Sequence, residues 1–101
     1  MTERLVESKP DLIQLVKNPV YRVQAIAVHK SPETIKYIKS PMTVIQRYVV
    51  KQDGTLIRFI ENPNVTIQID AVRENPDAVD YISEPAEEVV SYVRRVKGTK
   101  A

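Results

Sequence analysis

The sequence predicts an all-α fold: a small α-solenoid of four tandem 22-residue helix-turn-helix repeats with an N-terminal capping helix. Three observations predict it. Prolines recur every 22 residues in two series, Pro10, Pro32 and Pro76 with Gly54 in the missing slot, then Pro19, Pro41, Pro63 and Pro85. Apolar columns keep the same period: Ile13, Ile35, Ile57 and Val79; Val16, Ile38, Ile60 and Ile82; Val23, Ile45, Ile67 and Val89. Within each copy the apolar residues fall three and four apart, the spacing of one helix face.

Taken in order, the single domain 1–101 divides into a cap (1–9), repeats 10–31, 32–53, 54–75 and 76–97, and a tail (98–101). In the cap, Leu5 and Val6 lie one period before Ala27 and Val28, so residues 2–8 read as a truncated second helix. Each repeat holds two proline-led segments. Proline pushes the preceding residue out of the helical region and suits the first helical position. Ser31-Pro32, Asn75-Pro76, Asn18-Pro19 and Asn62-Pro63 therefore read as N-cap followed by first turn, with acidic residues at 11, 33 and 77 facing the positive end of a helix dipole.

The first segment, as in PETIKYIK, is expected to be a helix of about two turns carrying Ile35 and Ile38. The second, as in PMTVIQRYVVKQ, aligns Met42, Ile45 and Val49 on one stripe. The β-branched runs YRVQAIAV and QRYVV also suit strands, but the prolines and the spacing argue for helix. Gly54 follows Asp53, which keeps the cap while the lost proline is expected to loosen that junction. In the last repeat Arg94 replaces the valine of the Val28, Val50, Val72 column and Val90 replaces a glutamine; the polarity at Arg94–Arg95 suits a solvent-facing final helix. Helices this short are marginal alone and gain stability by covering one another's apolar faces.

The phrases NPDAVDYISEP, ENPNVTIQIDAV and NPVYRVQAIAV resemble the short helix-pair repeats of unknown function found in phage and large-virus proteins. The resemblance covers most of the chain. It implies a helical repeat protein, plausibly viral, that acts by binding, and whose natural role would be to inhibit or bridge a host macromolecule.

Composition excludes several chemistries. Without cysteine there is no disulfide, thiol catalysis or thiolate metal site, which fits a reducing compartment. No apolar run approaches ~18 residues, and MTERLVESKP lacks a signal-peptide core, so a cytoplasmic location is expected, that of the host cell if the protein is viral. A lone histidine, His29, offers neither a nucleophilic dyad nor a two-histidine metal site. Two glycines cannot build a phosphate-cradling loop, and Glu87–Glu88 suit a helix start. No catalytic residue, metal ligand or cofactor is expected, and an enzyme is not.

Two columns carry candidate binding chemistry. Gln24, Gln46 and Gln68 form either an amide ladder that bonds neighbouring backbone and fixes register between repeats, or an amide row for an extended peptide. His29, Lys51, Arg73 and Arg95 recur near the C-terminal ends of the second helices, a basic line joined by Lys17 and Lys39. Dipole complementarity and solubility account for such residues; an anionic track does as well. Tyr21 and Tyr48, with Tyr92, could stack on bases, although Glu74, Glu87 and Glu88 oppose nucleic acid.

The overall charge of +2 hides an asymmetry. Residues 1–52 hold nine Lys and Arg against four Asp and Glu, while residues 53–101 hold six against nine. An acidic protein surface is the expected partner; a nucleotide ligand, such as a sequestered cyclic signalling nucleotide, is the alternative; self-association of the opposite halves is a third possibility. No membrane partner is expected.

Overall fold

The computed structural model describes residues 2–98, and all regular structure there is helical, with no strand among the described residues. After α1 (Thr2–Ser8), four short 3₁₀ helices alternate with four α-helices. The 3₁₀ helices are Pro10–Leu15, Pro32–Tyr37, Gly54–Phe59 and Pro76–Tyr81; the α-helices are α2 (Tyr21–Lys30), α3 (Thr43–Gln52), α4 (Val65–Glu74) and α5 (Glu87–Val96). Each element starts 22 residues after its counterpart, as the starts at 10, 32, 54 and 76 show.

The first segment of each pair is a helix of two turns, as expected, and is of 3₁₀ type. Six residues between extended flanks leave room for few α-type bonds, and i→i+3 bonds close sooner. Thr34 N–H bonds the Ser31 carbonyl and Ile38 N–H that of Ile35, both at 3.0 Å. Ile38, Ile60 and Ile82 lie one residue past the helix in extended backbone, which turns their side chains into the core.

The α-helices begin two residues after proline, so Asn18 and Asn62 are not their N-caps. That position belongs to Val20, Met42, Asn64 and Ala86. Asn18 and Asn62 instead take left-handed backbone, with φ of 51° and 49°, a conformation asparagine tolerates better than most residues. At three of the four junctions the glutamine column accompanies the shift; at Pro85, where Val90 replaces the glutamine, the offset is the same. Gln24, Gln46 and Gln68 donate Nε2–H to the carbonyls of Pro19, Pro41 and Pro63 at 2.8, 2.9 and 2.9 Å. Those carbonyls therefore have side-chain partners in place of a helical backbone partner. Met42, expected on the apolar stripe, is exposed as the N-cap of α3. At the 3₁₀ starts, Asp53 and Asn75 do cap, accepting from Thr55 and Asp77 N–H. Ser31 makes no such side-chain bond; its carbonyl accepts from the Thr34 hydroxyl instead.

The core is built from the apolar columns. Ile13, Ile35, Ile57, Ile38, Ile60, Ile82, Val23, Ile45, Ile67 and Val89 are buried, and Val16 and Val79 are half-buried. Val6 is buried against it, while Leu5 is exposed and does not follow Ala27. Arg94 is exposed and Val90 half-buried in the last helix. Each α-helix packs on the α-helix before and after it, and the described residues extend 55 × 19 × 16 Å. Order along the chain is therefore order along the long axis, which separates the positive and negative halves in space. No described helix is long and apolar enough to cross a membrane.

At Gly54 the expected loosening is reversed. A Cβ there would lie 2.1 Å from the Ala71 carbonyl oxygen, so α4 approaches this backbone more closely than any side chain permits. The N–H that proline would lack donates to Glu74 Oε1 at 2.7 Å.

Candidate functional site

Between each 3₁₀ helix and the following α-helix runs a short linker: Val16–Lys17–Asn18–Pro19, Ile38–Lys39–Ser40–Pro41, Ile60–Glu61–Asn62–Pro63 and Ile82–Ser83–Glu84–Pro85. Adjacent linkers bound three clefts. The first, about 450 Å³, lies between Lys17 and Lys39, with Tyr37 and Gln24 in its wall. The second, about 210 Å³, lies between Lys39 and Glu61 beside Gln46. The third, about 600 Å³, holds Glu61, Glu84, Arg58, Tyr81 and Gln68. Lys39 and Ser40 line the first and second, and Ile60, Glu61 and Asn62 the second and third. The three thus follow one another along the row of linkers, and that row of clefts is the groove referred to below.

Charge varies along linkers that keep the same length and the same flanking helices. The first cleft carries two ammonium groups, the second one of each sign, and the third two carboxylates against one guanidinium. Aromatic rings line both ends. Lys36 Nζ lies 5.3 Å from the Tyr37 ring centre, and the Arg58 guanidinium lies 4.8 Å from Phe59 and 5.5 Å from Tyr81.

The glutamines hold the linkers in place. Gln24 Oε1 accepts Met42 N–H at 3.1 Å, and Gln68 Oε1 accepts Ala86 N–H at 2.8 Å. Each thereby ties its own linker to the start of the next α-helix. The amides of Gln24 and Gln68 are buried and spent within the fold, which leaves them poorly placed to read a peptide. Gln46 makes only the bond to Pro41 and is half-buried.

The expected basic line divides in two. His29, Lys51, Arg73 and Arg95 sit in the last turns of α2 to α5. Lys17 and Lys39 precede the first turns of α2 and α3, the other ends of helices about 15 Å long. His29 stacks on Tyr48 with centroids 4.3 Å apart, and the Arg95 guanidinium lies 5.7 Å from the Tyr92 ring. Tyr21 is exposed at the start of α2 and lines none of the three clefts. His29 borders a separate cleft of about 400 Å³ with Glu7, Ala25 and Ile26.

Sequence reasoning missed Tyr37, Tyr81 and Arg58 as groove residues. For the two tyrosines the signal was the 22-residue column of large side chains Leu15, Tyr37, Phe59 and Tyr81, of which Leu15 and Tyr81 are exposed and Tyr37 and Phe59 half-buried.

Away from the groove, Lys97 Nζ lies 2.7 Å from Asp77 Oδ1. That hydrogen bond, helped by the charges of Asp77 and Asp80 and opposed by desolvation, holds the ammonium pKa above the ordinary 10.5. Among the described residues no cluster of three His, Asp or Glu side chains could hold a metal ion. Scans of protein-family models, curated proteins and solved structures found no match to this chain.

Proposed function

We propose that the chain is a non-enzymatic interaction module, a small α-solenoid whose positive half docks on an acidic surface of a protein partner. The observation that carries this reading is the charge separation laid along a 55 Å axis. A surface of one sign steers an oppositely charged partner and sets its orientation. The recurring elements and neighbour-only packing support the solenoid. A viral setting, in which such a module blocks or bridges a host macromolecule, follows from the resemblance alone.

The docking reading is tested by capture with the immobilised protein and with its quadruple reversal Lys17→Glu, Lys30→Glu, Lys39→Glu, Lys51→Glu. An acidic partner retained by the first and lost from the second supports it; equal retention overturns it. The solenoid is tested by deleting residues 32–53. A shorter helical protein with a cooperative melt supports stacked units, and an unfolded chain refutes them.

A second reading, sequestration of a small anionic ligand such as a cyclic nucleotide, is favoured by Lys17 and Lys39 facing one cleft beside Tyr37. A thermal-shift screen separates the two. Stabilisation by several degrees with a single nucleotide would favour sequestration and undercut protein docking.

A further inference from the structure

The linkers have charges that change sign along the groove while the flanking helices recur every 22 residues. We propose that the groove is a recognition track for an extended peptide segment of a partner protein, in polyproline II conformation. An acidic residue of that segment would lie at the Lys17–Lys39 cleft and a basic one at the Glu61–Glu84 cleft. The proposal rests on the docking reading above and assigns it a face and a ligand class.

Three observations carry it. The clefts are neighbours that share wall residues, so an extended ligand laid along the linkers can contact all three. They recur once per helix pair, and packed helices lie about 8–10 Å apart. A polyproline II chain repeats its face every three residues, about 9 Å, whereas a β-strand repeats every two, about 7 Å. Only the former presents a side chain to successive clefts in step. The third observation is the lining. Tyr37 and Tyr81 stand at the two ends of the groove, Tyr81 exposed and both beside cations, and aromatic-lined grooves suit the preformed, fully solvated polyproline II backbone.

Residues i, i+3 and i+6 of the ligand then meet different chemistry. At the first cleft two ammonium groups select a carboxylate. At the second, Lys39 and Glu61 balance, and the half-buried Gln46 favours a neutral amide or hydroxyl. At the third, Glu61 and Glu84 outweigh Arg58 and select a cation. The left-handed linker residues Asn18 and Asn62 and the Gln24 and Gln68 bonds fix these walls before a ligand arrives, which lowers the ordering cost of binding. The basic residues at the opposite ends of the α-helices, Lys51 among them, take no part.

The test uses the full chain and a fluorescein-labelled heptapeptide, Asp-Pro-Pro-Gln-Pro-Pro-Arg, in fluorescence polarisation at low salt. Its comparison keeps Asp, Gln and Arg but widens each interval by one proline, Asp-Pro-Pro-Pro-Gln-Pro-Pro-Pro-Arg. The in-register peptide should bind about ten-fold more tightly. Lys17→Glu with Lys39→Glu should weaken it by a similar factor and confer binding on a peptide with Lys in place of Asp. Lys30→Glu with Lys51→Glu should change little. Equal binding of the two spacings, indifference to the Lys17 and Lys39 reversals, or no saturable binding at millimolar peptide would overturn the proposal. So would a dimer in sedimentation that the groove reversals dissolve, since a second copy would then fill the groove. If peptides fail while partner capture still responds to reversal of Lys30 and Lys51, the peptide track falls and the docking reading stands.

Discussion

The backbone N–H of Gly54 donates to the Glu74 carboxylate at 2.7 Å, and the same glycine lies against the Ala71 carbonyl, where a Cβ would sit only 2.1 Å from the oxygen. The one break in the first proline series is thus a point of close approach. Gly54→Ala should destabilise by about 1–3 kcal/mol, because backbone rather than a flexible side chain must yield. Gly54→Pro, which completes the proline series, should cost at least as much, since it also removes the donor. Urea midpoints check this; a stabilised Gly54→Pro variant would contradict the close packing.

Gln68→Ala should cost about 1–3 kcal/mol, because it strands the Pro63 carbonyl and the Ala86 N–H together. Gln46→Ala should cost less, having one bond to lose. Thermal melts of the two variants make the comparison, and equal losses would show that the link to the next helix contributes nothing.

Ile60 is buried in the extended residue that ends the 3₁₀ helix Gly54–Phe59. Ile60→Ala should destabilise by about 2–4 kcal/mol, a large share of the stability of so small a chain. A neutral effect in chemical denaturation would remove Ile60 from the core.

Asn62 holds φ at 49°. Asn62→Val should cost about 1–2 kcal/mol, as a β-branched residue resists left-handed backbone, whereas Asn62→Gly should be nearly neutral. Ser40 and Glu84 occupy the same slot without positive φ, so Ser40→Val should be tolerated. Denaturation midpoints that failed to separate Asn62→Val from Ser40→Val would show the conformation carries no cost.

The Asp77–Lys97 pair sets a pH dependence with a definite sign. The folded pKa of Lys97 is raised, so its contribution is fully present below the ordinary 10.5 and disappears as pH rises through the folded value. Both side chains are well exposed, so the effect is small. Lys97→Met should be slightly less stable than the parent at neutral pH and indistinguishable from it above the lysine range. A gap between the two urea midpoints that persisted at high pH would rule out the pair as its source.

Much of the fold was legible before any coordinate. The two proline series, with Gly54 in one slot, located every element start after α1 to within two residues, and three of the apolar columns named half of the buried core, because burial follows periodicity wherever neighbours share a face. Helix type was not legible. A six-residue segment between extended flanks becomes 3₁₀ because of how its ends are held, and composition does not encode that. The α-helix starts were misplaced as well: each lies two residues beyond its proline, with the Pro19, Pro41 and Pro63 carbonyls bonded to glutamine side chains five residues on and the same offset at Pro85 without one, which proline spacing alone does not show.

By itself the sequence determined the 22-residue period, the helical class and the opposite charges of the two halves, since all three are properties of residue order. Only the tertiary structure decided that Lys17 and Lys39 part from His29, Lys51, Arg73 and Arg95, and that Tyr37, Tyr81 and Arg58 join a groove with Glu61 and Glu84. The reason is geometric. Lys17 and His29 lie at opposite ends of the ten-residue α2, while Lys17 and Lys39, a full period apart, line one cleft.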